Sequence, residues 1–301
     1  MRTVRSVAEL RSVLVPHRGA GTTIGLVPTM GALHEGHLSL IRHARSHCDL
    51  VVVSLFVNPA QFNEASDLKR YPRREHDDVR LTAAAGADVL FAPSVEEVYP
   101  PGFATTVEVL GVTERLEGAE RGAEHFRGVA TVVSKLLCMT LPDVAYFGQK
   151  DAQQVFVIRR LVADLNLPVR VEALATVREP DGLALSSRNA LLDPRERARA
   201  LALSTALRAA QDLLAGGERS SQALTAAGRE AMLGLDVNPE YLEIVDPESF
   251  EAIDEVTSDA LMVVAARVGS VRLIDNSLLQ PEAAISSTQH SQGEAITTCS
   301  V

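Results

Sequence analysis

The chain has 301 residues, 46% hydrophobic and 23% charged, and a formal net charge of −10 from 29 Lys+Arg and 39 Asp+Glu. Such a length predicts two domains, and the composition is that of an ordinary globular protein. The acidic balance argues against a nucleic-acid partner, because neutralising a phosphate backbone needs clustered Lys and Arg, yet a few cations in a cleft suffice for an anionic small molecule.

Met1-Arg2-Thr3-Val4-Arg5-Ser6 has no apolar core of a signal sequence, and no run reaches membrane-spanning length. The expectation is a cytoplasmic protein with no membrane partner. Cys48, Cys138 and Cys299 show no paired spacing, and the first two sit in apolar surroundings that predict reduced core residues.

Along the chain, Gly19-Ala20-Gly21-Thr22-Thr23-Ile24-Gly25 loosely mimics a dinucleotide fingerprint, but it precedes its strand and reads as a lead-in. The apolar run 24–27 predicts a strand. Pro28-Thr29-Met30-Gly31-Ala32-Leu33-His34-Glu35-Gly36-His37 follows, then Leu38, Leu40 and Ile41 at helical spacing. Strand, glycine loop and helix thus place two imidazoles at a helix entrance. Unpaired N–H groups and the positive dipole end there favour an anion, and Gly36 permits close backbone approach. A metal site and a solvated helix start are the competing readings.

A helix is expected over 38–46, a strand over 50–57, a helix over 73–85 stopped by Gly86, and a strand over 89–91. Val57-Asn58-Pro59-Ala60-Gln61-Phe62 follows a buried strand, so Asn58 and Gln61 are candidates to hydrogen-bond a small polar substrate. Next come a helix over 128–139 before Pro142, a strand over 144–147, a helix over 152–164 and a strand over 169–174. Alternation of this kind predicts an α/β fold with a doubly wound parallel sheet, its ligands off the carboxyl ends of the strands.

Phe147-Gly148-Gln149-Lys150-Asp151 occupies another such strand end. Lys150 supplies a point charge suited to phosphate, and Asp151 either meets a ribose or caps the helix. Gln153 and Gln154 follow on that helix and are candidates to present a second amide to the pocket of Asn58 and Gln61. Asp181-Gly182-Leu183-Ala184-Leu185-Ser186-Ser187-Arg188-Asn189 places two hydroxyls and a guanidinium after a glycine turn, a weak pattern alone that gains from its company. Asp193-Pro194 predicts the start of a long helix ending near Gly216-Gly217, with a second helix to about Leu233. Strands over 241–245, 261–268 and 271–274 complete a small α+β domain. The boundaries expected are 1–182, 183–280, and a polar, disordered tail over 281–301.

The segments 28–38, 53–62, 125–133, 147–154 and 186–189, in this order and spacing, resemble the pantoate–β-alanine ligase family over about residues 1–280. His34-Glu35-Gly36-His37 alone resembles only the wider nucleotidyltransferase superfamily, with its Rossmann-like HUP-type domain. The family resemblance implies two steps. Pantoate attacks the α-phosphorus of Mg-ATP to give pantoyl adenylate and pyrophosphate; β-alanine then displaces AMP.

It also implies an ATP site of Met30, Gly31, Ala32, Leu33, His34, Glu35, Gly36, His37, Gly148, Gln149, Lys150, Asp151, Val177, Leu185, Ser186, Ser187 and Arg188. Among these, His34, His37, Lys150 and Arg188 are catalytic candidates, and the proton-donor role falls on His37. Pantoate falls to Gln61, Gln154, Met30 and Phe56, and β-alanine to Gln61 and Asn58. Mg²⁺ is expected on the ATP phosphates rather than in a protein cage. The second domain and the loop 63–71 are the expected cover, and a homodimer is the implied assembly. Two departures stand out: Leu183-Ala184-Leu185 replaces methionine-rich residues, and Ala60 is smaller than usual. Another adenylyltransferase and a non-catalytic nucleotide-binding protein are the alternatives.

Overall fold

A computed structural model describes residues 1–63 and 65–281. In chain order the elements are β1 (Arg2–Val4), α1 (Val7–Gly19), β2 (Ile24–Thr29), α2 (Glu35–His47), β3 (Leu50–Leu55), α3 (Ala65–Arg70), α4 (Glu75–Ala84), β4 (Val89–Phe91), α5 (Val95–Val98), α6 (Glu117–Arg121), α7 (Ala123–Thr140), β5 (Val144–Gly148), α8 (Ala152–Asp164), β6 (Arg170–Leu174), α9 (Pro194–Arg199), α10 (Leu201–Ala215), α11 (Ser221–Leu233), β7 (Pro239–Val245), β8 (Ala260–Val268) and β9 (Val271–Leu279).

The first six strands form one parallel sheet in the order β1-β4-β3-β2-β5-β6. Strand order reverses between β2 and β5, where Gly25 pairs with Val144 and Leu26 with Ala145. A doubly wound sheet opens its ligand crevice at such a reversal. The strand ends facing it are those that carry the histidine and lysine motifs.

Burial explains the near-continuous apolar strands. One face of the sheet packs Leu26, Val52 and Phe147 against Leu10 and Leu14 of α1, Val129, Val133 and Leu136 of α7, and Ile158 and Leu161 of α8. The other face packs Val27, Val51, Val53 and Tyr146 under Leu40, Ile41 and Ala44 of α2. Strands buried on both faces have no polar side to alternate with.

A separate core lies between α10, α11 and the antiparallel sheet β7-β8-β9, from Leu203, Ala206 and Leu207 to Met262, Val264 and Ala266. A smaller cluster of Leu116, Ala152, Val245, Phe250, Leu261 and Val263 joins the two sheets' surroundings.

Several expectations need correction. β1 and α1 were not foreseen: three residues give too little signal for a strand, and Pro16 interrupts the helical pattern that Val7, Leu10 and Leu14 begin. The long helix after Asp193 is two, α9 and α10, although Ala200 between them keeps a right-handed backbone, so the join is a hitch rather than a turn. Asp193 does cap α9, accepting from the N–H groups of Arg195 and Glu196. The last strand runs five residues further than expected, to Leu279. Cys138 is exposed rather than in the core; it falls on the one face of α7 that the sheet leaves uncovered. Residues 282–301, most of the expected tail, lie outside the described residues.

Candidate active site

The turn between β2 and α2 is built by hydrogen bonds that local pattern did not disclose. Gly31 and Ala32 both take positive φ, +86° and +51°. A Cβ at Gly31 would stand 2.8 Å from Leu55 Cδ1 and 2.9 Å from Asp78 Oδ2, so only glycine fits. The Asp78 carboxylate, 2% exposed, accepts from the N–H groups of Ala32 at 3.0 Å and Leu33 at 2.8 Å. A buried carboxylate on α4 thus holds the loop that presents the histidines.

His34 caps α2, and the two imidazoles form a reciprocal capping pair. His34 Nδ1 accepts from Gly36 N–H at 3.2 Å, and His37 Nδ1 accepts from His34 N–H at 3.4 Å. Because both Nδ1 atoms accept, each neutral ring carries its proton on Nε2. Burial pulls the His37 pKa down to about 3, reinforced by His34 and Lys150; His34 is lowered by burial and then by Lys150. Lys150 is therefore close enough for its charge to reach both rings.

Lys150 follows β5 in the 3-10 turn Gln149–Asp151. Asp151 makes no side-chain cap bond to α8, so the capping role left open for it is not the one it takes. Ser186 Oγ accepts from Arg188 N–H at 3.2 Å and opens the turn Ser187–Leu191. Ser187 and Tyr71 line the same cleft, so this loop faces the segment after β3.

These groups converge on one open cleft of about 1180 Å³. It is lined by Met30, Ala32, Leu33, His34, Gly36 and His37 from one strand end and Gly148, Lys150, Asp151 and Gln154 from the other. Val177, Leu185, Ser186, Ser187 and Arg188 close a third side, and Phe56, Asn58 and Gln61 lie on its wall. Three candidates do not line it. Gly31 shapes the loop from behind, Glu35 pairs with Arg42 on the outer face of α2, and Gln149 contributes its carbonyl to Asn276.

Gln61 sits in a prepared seat. Asn58 Nδ2 donates to Gln61 Oε1 at 3.1 Å and to the Gly128 carbonyl at 3.1 Å, while its Oδ1 accepts from Tyr99 Oη at 2.8 Å and Ala60 N–H at 3.3 Å. His125 Nδ1 donates to the Gln61 carbonyl at 2.8 Å, and burial lowers that ring's pKa to about 4. α7 approaches so closely that a Cβ on Gly128 would fall 2.2 Å from the Ala60 carbonyl oxygen.

Sequence reasoning missed Asp78 and the group around Glu117. Glu117 pairs with Arg272 and Arg121 and accepts from Tyr241 Oη at 2.8 Å, in the cleft wall between α6 and the C-terminal sheet. The guanidinium bonds overcome burial and hold its pKa at about 2. Neither residue has a sufficient local signal: Asp78 finds its partners, Ala32 and Leu33, 46 and 45 positions away, and Glu117, apart from Arg121 one turn along its own helix, finds Tyr241 and Arg272 on the C-terminal sheet. Gln153 is also reassigned: it is buried and bonds Glu117 N–H and the carbonyls of Val112 and Arg115. Among the described residues no three His, Cys, Asp or Glu side chains gather as a metal cage.

The profile of the pantoate–β-alanine ligase family matches residues 2–278. The chain belongs to that family. A pantothenate synthetase of Cereibacter sphaeroides is 52% identical over 273 residues, covering 91% of this chain and 98% of the relative. One from Roseiflexus castenholzii is 51% identical over 282 residues, covering 93% and 100%. The crystal structure of pantothenate synthetase from Thermus thermophilus superposes with a TM-score of 0.89 at 47% identity, over 93% of this chain and 100% of that one. The Francisella tularensis pantoate–β-alanine ligase, complexed with beta-gamma ATP and beta-alanine, gives 0.76 at 34% identity, over 92% and 97%. The enzyme is an ATP-dependent ligase that joins pantoate to β-alanine. The six-stranded parallel sheet with its small antiparallel companion is the fold of these relatives.

Proposed function

We propose that the ligase works through a pantoyl adenylate formed and consumed in the cleft at the β2–β5 reversal. The observation that carries this reading is the convergence of His34, His37, Lys150 and Ser186, Ser187 and Arg188 around one open space with Gln61 and Gln154 on its wall. In the first step a pantoate carboxylate oxygen bonds to the α-phosphorus and the bond to the pyrophosphate oxygen breaks. Such a transfer asks the protein to align reactants and neutralise charge on the departing oxygens.

Lys150 and Arg188 supply fixed positive charge, and Ser186 and Ser187 supply hydroxyl donors. His34 and His37 enter neutral, each with an Nε2–H donor. His37 thus meets the phosphates as a hydrogen-bond donor, and the arriving negative charge raises its basicity. In the second step the neutral β-alanine amine attacks the acyl carbon, the AMP oxygen leaves with the bonding pair, and the nitrogen sheds one proton to solvent. Closure against water protects the adenylate; the C-terminal domain, 183–280, and the segment carrying Tyr71 provide it over the 1–182 domain.

Gln61 binds pantoate. Its Oε1 is held by Asn58, while its Nε2 donates, among the described residues, to the Met30 thioether at 3.0 Å. Sulfur is a weak acceptor, so a hydroxyl or carboxylate oxygen displaces it readily. Asn58, with its amide fully engaged, positions Gln61 instead of touching β-alanine as the family resemblance implied. Gln154 adds a second amide, and Met30 and Phe56 offer apolar surface to the gem-dimethyl group.

Mg²⁺ fits this donor set as a partner of the phosphates: the Asp151 carboxylate lines the cleft, whereas both Asp78 oxygens are engaged by the backbone. When bound, the ion would shield phosphate charge, with one or two carboxylates and water completing its shell. The enzyme is further read as a cytoplasmic homodimer, on family resemblance. Among the described residues no helix is long and apolar enough to cross a membrane.

The test is exchange of labelled pyrophosphate into ATP. Exchange that needs pantoate but not β-alanine is expected, with net AMP release only when β-alanine is added. Exchange that requires β-alanine would overturn the two-step route.

A further inference from the structure

Two adjacent residues of β9, outside the constellation above, tie its two cationic arms together. Asn276 is 4% exposed, and its Nδ2 donates to the carbonyls of Gln149 and Lys150, both at 2.9 Å. Asp275, 3% exposed, grips Arg178 through both oxygens, Oδ1 to Nη2 at 2.9 Å and Oδ2 to Nη1 at 2.6 Å. Arg178 also donates to the carbonyls of Gly182 and Asn276. The same guanidinium therefore pins both strands of the hairpin in which Arg178 pairs with Ala184 and Leu185 N–H reaches the Val177 carbonyl. That hairpin leads directly into Ser186, Ser187 and Arg188.

The lysine turn begins on the parallel sheet, and the serine–arginine loop follows the hairpin. Between them the chain runs through α8 and β6, too long a path to set their separation. β9 supplies a link by hydrogen bonds instead. Bidentate Arg–carboxylate pairing and two bonds from one amide are geometrically demanding, so they fix position as well as add energy.

We propose that Asp275 and Asn276 are positioning residues that set the distance between Lys150 and the 186–188 loop, so that the seating of the C-terminal sheet fixes the span of the phosphate clamp. The proposal rests on the reading of Lys150 and Arg188 as that clamp. Asn276 holds the lysine turn by its carbonyls, which leaves the ammonium free to face the cleft. Asp275, through Arg178, holds the opposing arm. A misplacement of about 1 Å between reacting groups can cost on the order of a hundredfold in rate.

The experiment compares Asn276→Ala, Arg178→Lys and Lys150→Ala in the full chain, by calorimetric titration with Mg-ATP, initial rates of AMP release, and thermal unfolding. Asn276→Ala is expected to weaken ATP binding and lower kcat by about tenfold or more, with the KM for pantoate moving by less than about twofold. In the Lys150→Ala background its effect on ATP affinity should shrink to within about twofold, because the effect travels through that lysine. Arg178→Lys keeps the charge but loses the fork, and should weaken ATP binding without preventing folding.

A lower unfolding temperature with unchanged ATP affinity and kcat would overturn the proposal, as would an equal loss in the Lys150→Ala background. Should Asn276→Ala not fold, unchanged ATP affinity in Arg178→Lys is the overturning result. Lys150→Ala with wild-type affinity and rate would instead overturn the clamp itself.

Discussion

Asn58 Nδ2 donates to Gln61 Oε1 at 3.1 Å, and this bond decides which end of the Gln61 amide faces the cleft. With its oxygen held, Gln61 presents its NH₂ group, the end suited to a carboxylate or hydroxyl oxygen. Asn58→Ala frees the amide to turn and leaves the Gly128 carbonyl and Tyr99 hydroxyl without their partner. The expected result is a KM for pantoate raised by about tenfold, with a stability loss of about 1–3 kcal/mol. Asn58→Asp should do the same despite its shape, since a carboxylate cannot donate to either oxygen. Initial-rate kinetics and urea unfolding check both; an unchanged pantoate KM in the two variants would sink the positioning role.

The seat of Gln61 also depends on a missing side chain. Gly128 lies inside α7, where alanine would ordinarily stabilise the helix by about 0.5–1 kcal/mol. Here the added methyl would sit 2.2 Å from the Ala60 oxygen and 2.5 Å from its carbonyl carbon, backbone atoms that cannot swing aside. Gly128→Ala should therefore destabilise by about 1–3 kcal/mol as the helix and the turn separate. Activity should fall with it, through pantoate KM before ATP KM. A variant more stable than the parent would show that the turn yields without cost.

How much of this was legible in the sequence depends on how local each device is. The histidine and lysine motifs were readable because strand, glycine turn and helix start are adjacent in the chain, so position at a strand end follows from order. The doubly wound sheet was readable for the same reason, from alternation of short β-branched runs with helical spacing. Asp78 was not, because a carboxylate at the start of a helix looks like an ordinary dipole partner. Only the fold brings it beneath Ala32 and Leu33. Asn58 was read as a ligand because residue type and strand-end position are the same for a group that touches substrate and one that orients its neighbour. Hydrogen-bond saturation distinguishes them, and that is a property of the packed state. Glu117 and Asn276 acquire their roles across the two sheets, where sequence separation hides them.

Lys150 should act on the histidines before any substrate arrives. Its charge lowers the pKa of His34, after burial, and that of His37, after burial and His34. Removing a positive neighbour favours the imidazolium. Lys150→Ala is thus expected to raise the pKa of His34 in the ligand-free enzyme, read from the imidazole resonances during an NMR pH titration. An unchanged or lower His34 pKa would mean that the ammonium does not point toward the helix entrance.

Stability against acid follows from the same buried rings. His37 and His125 are held near pKa values of about 3 and about 4, below the ordinary 6.5. Below pH 6.5 the unfolded chain binds protons that the folded rings refuse, so stability is lost as pH falls, by about 1.4 kcal/mol per pH unit for each ring. The loss stops near pH 4 for His125 and near pH 3 for His37. Glu117, held at about 2 against an ordinary 4.5, adds its own loss only below pH 4.5. Urea unfolding of the ligand-free enzyme at pH 7.5, 6 and 5 should therefore show a falling free energy already above the carboxylate range. His125→Gln, which keeps an amide donor for the Gln61 carbonyl, should make that fall shallower by about one ring's worth, about 1.4 kcal/mol per pH unit. A flat profile between pH 7.5 and 5, or a slope unaltered by His125→Gln, would show that these histidines charge freely in the folded enzyme.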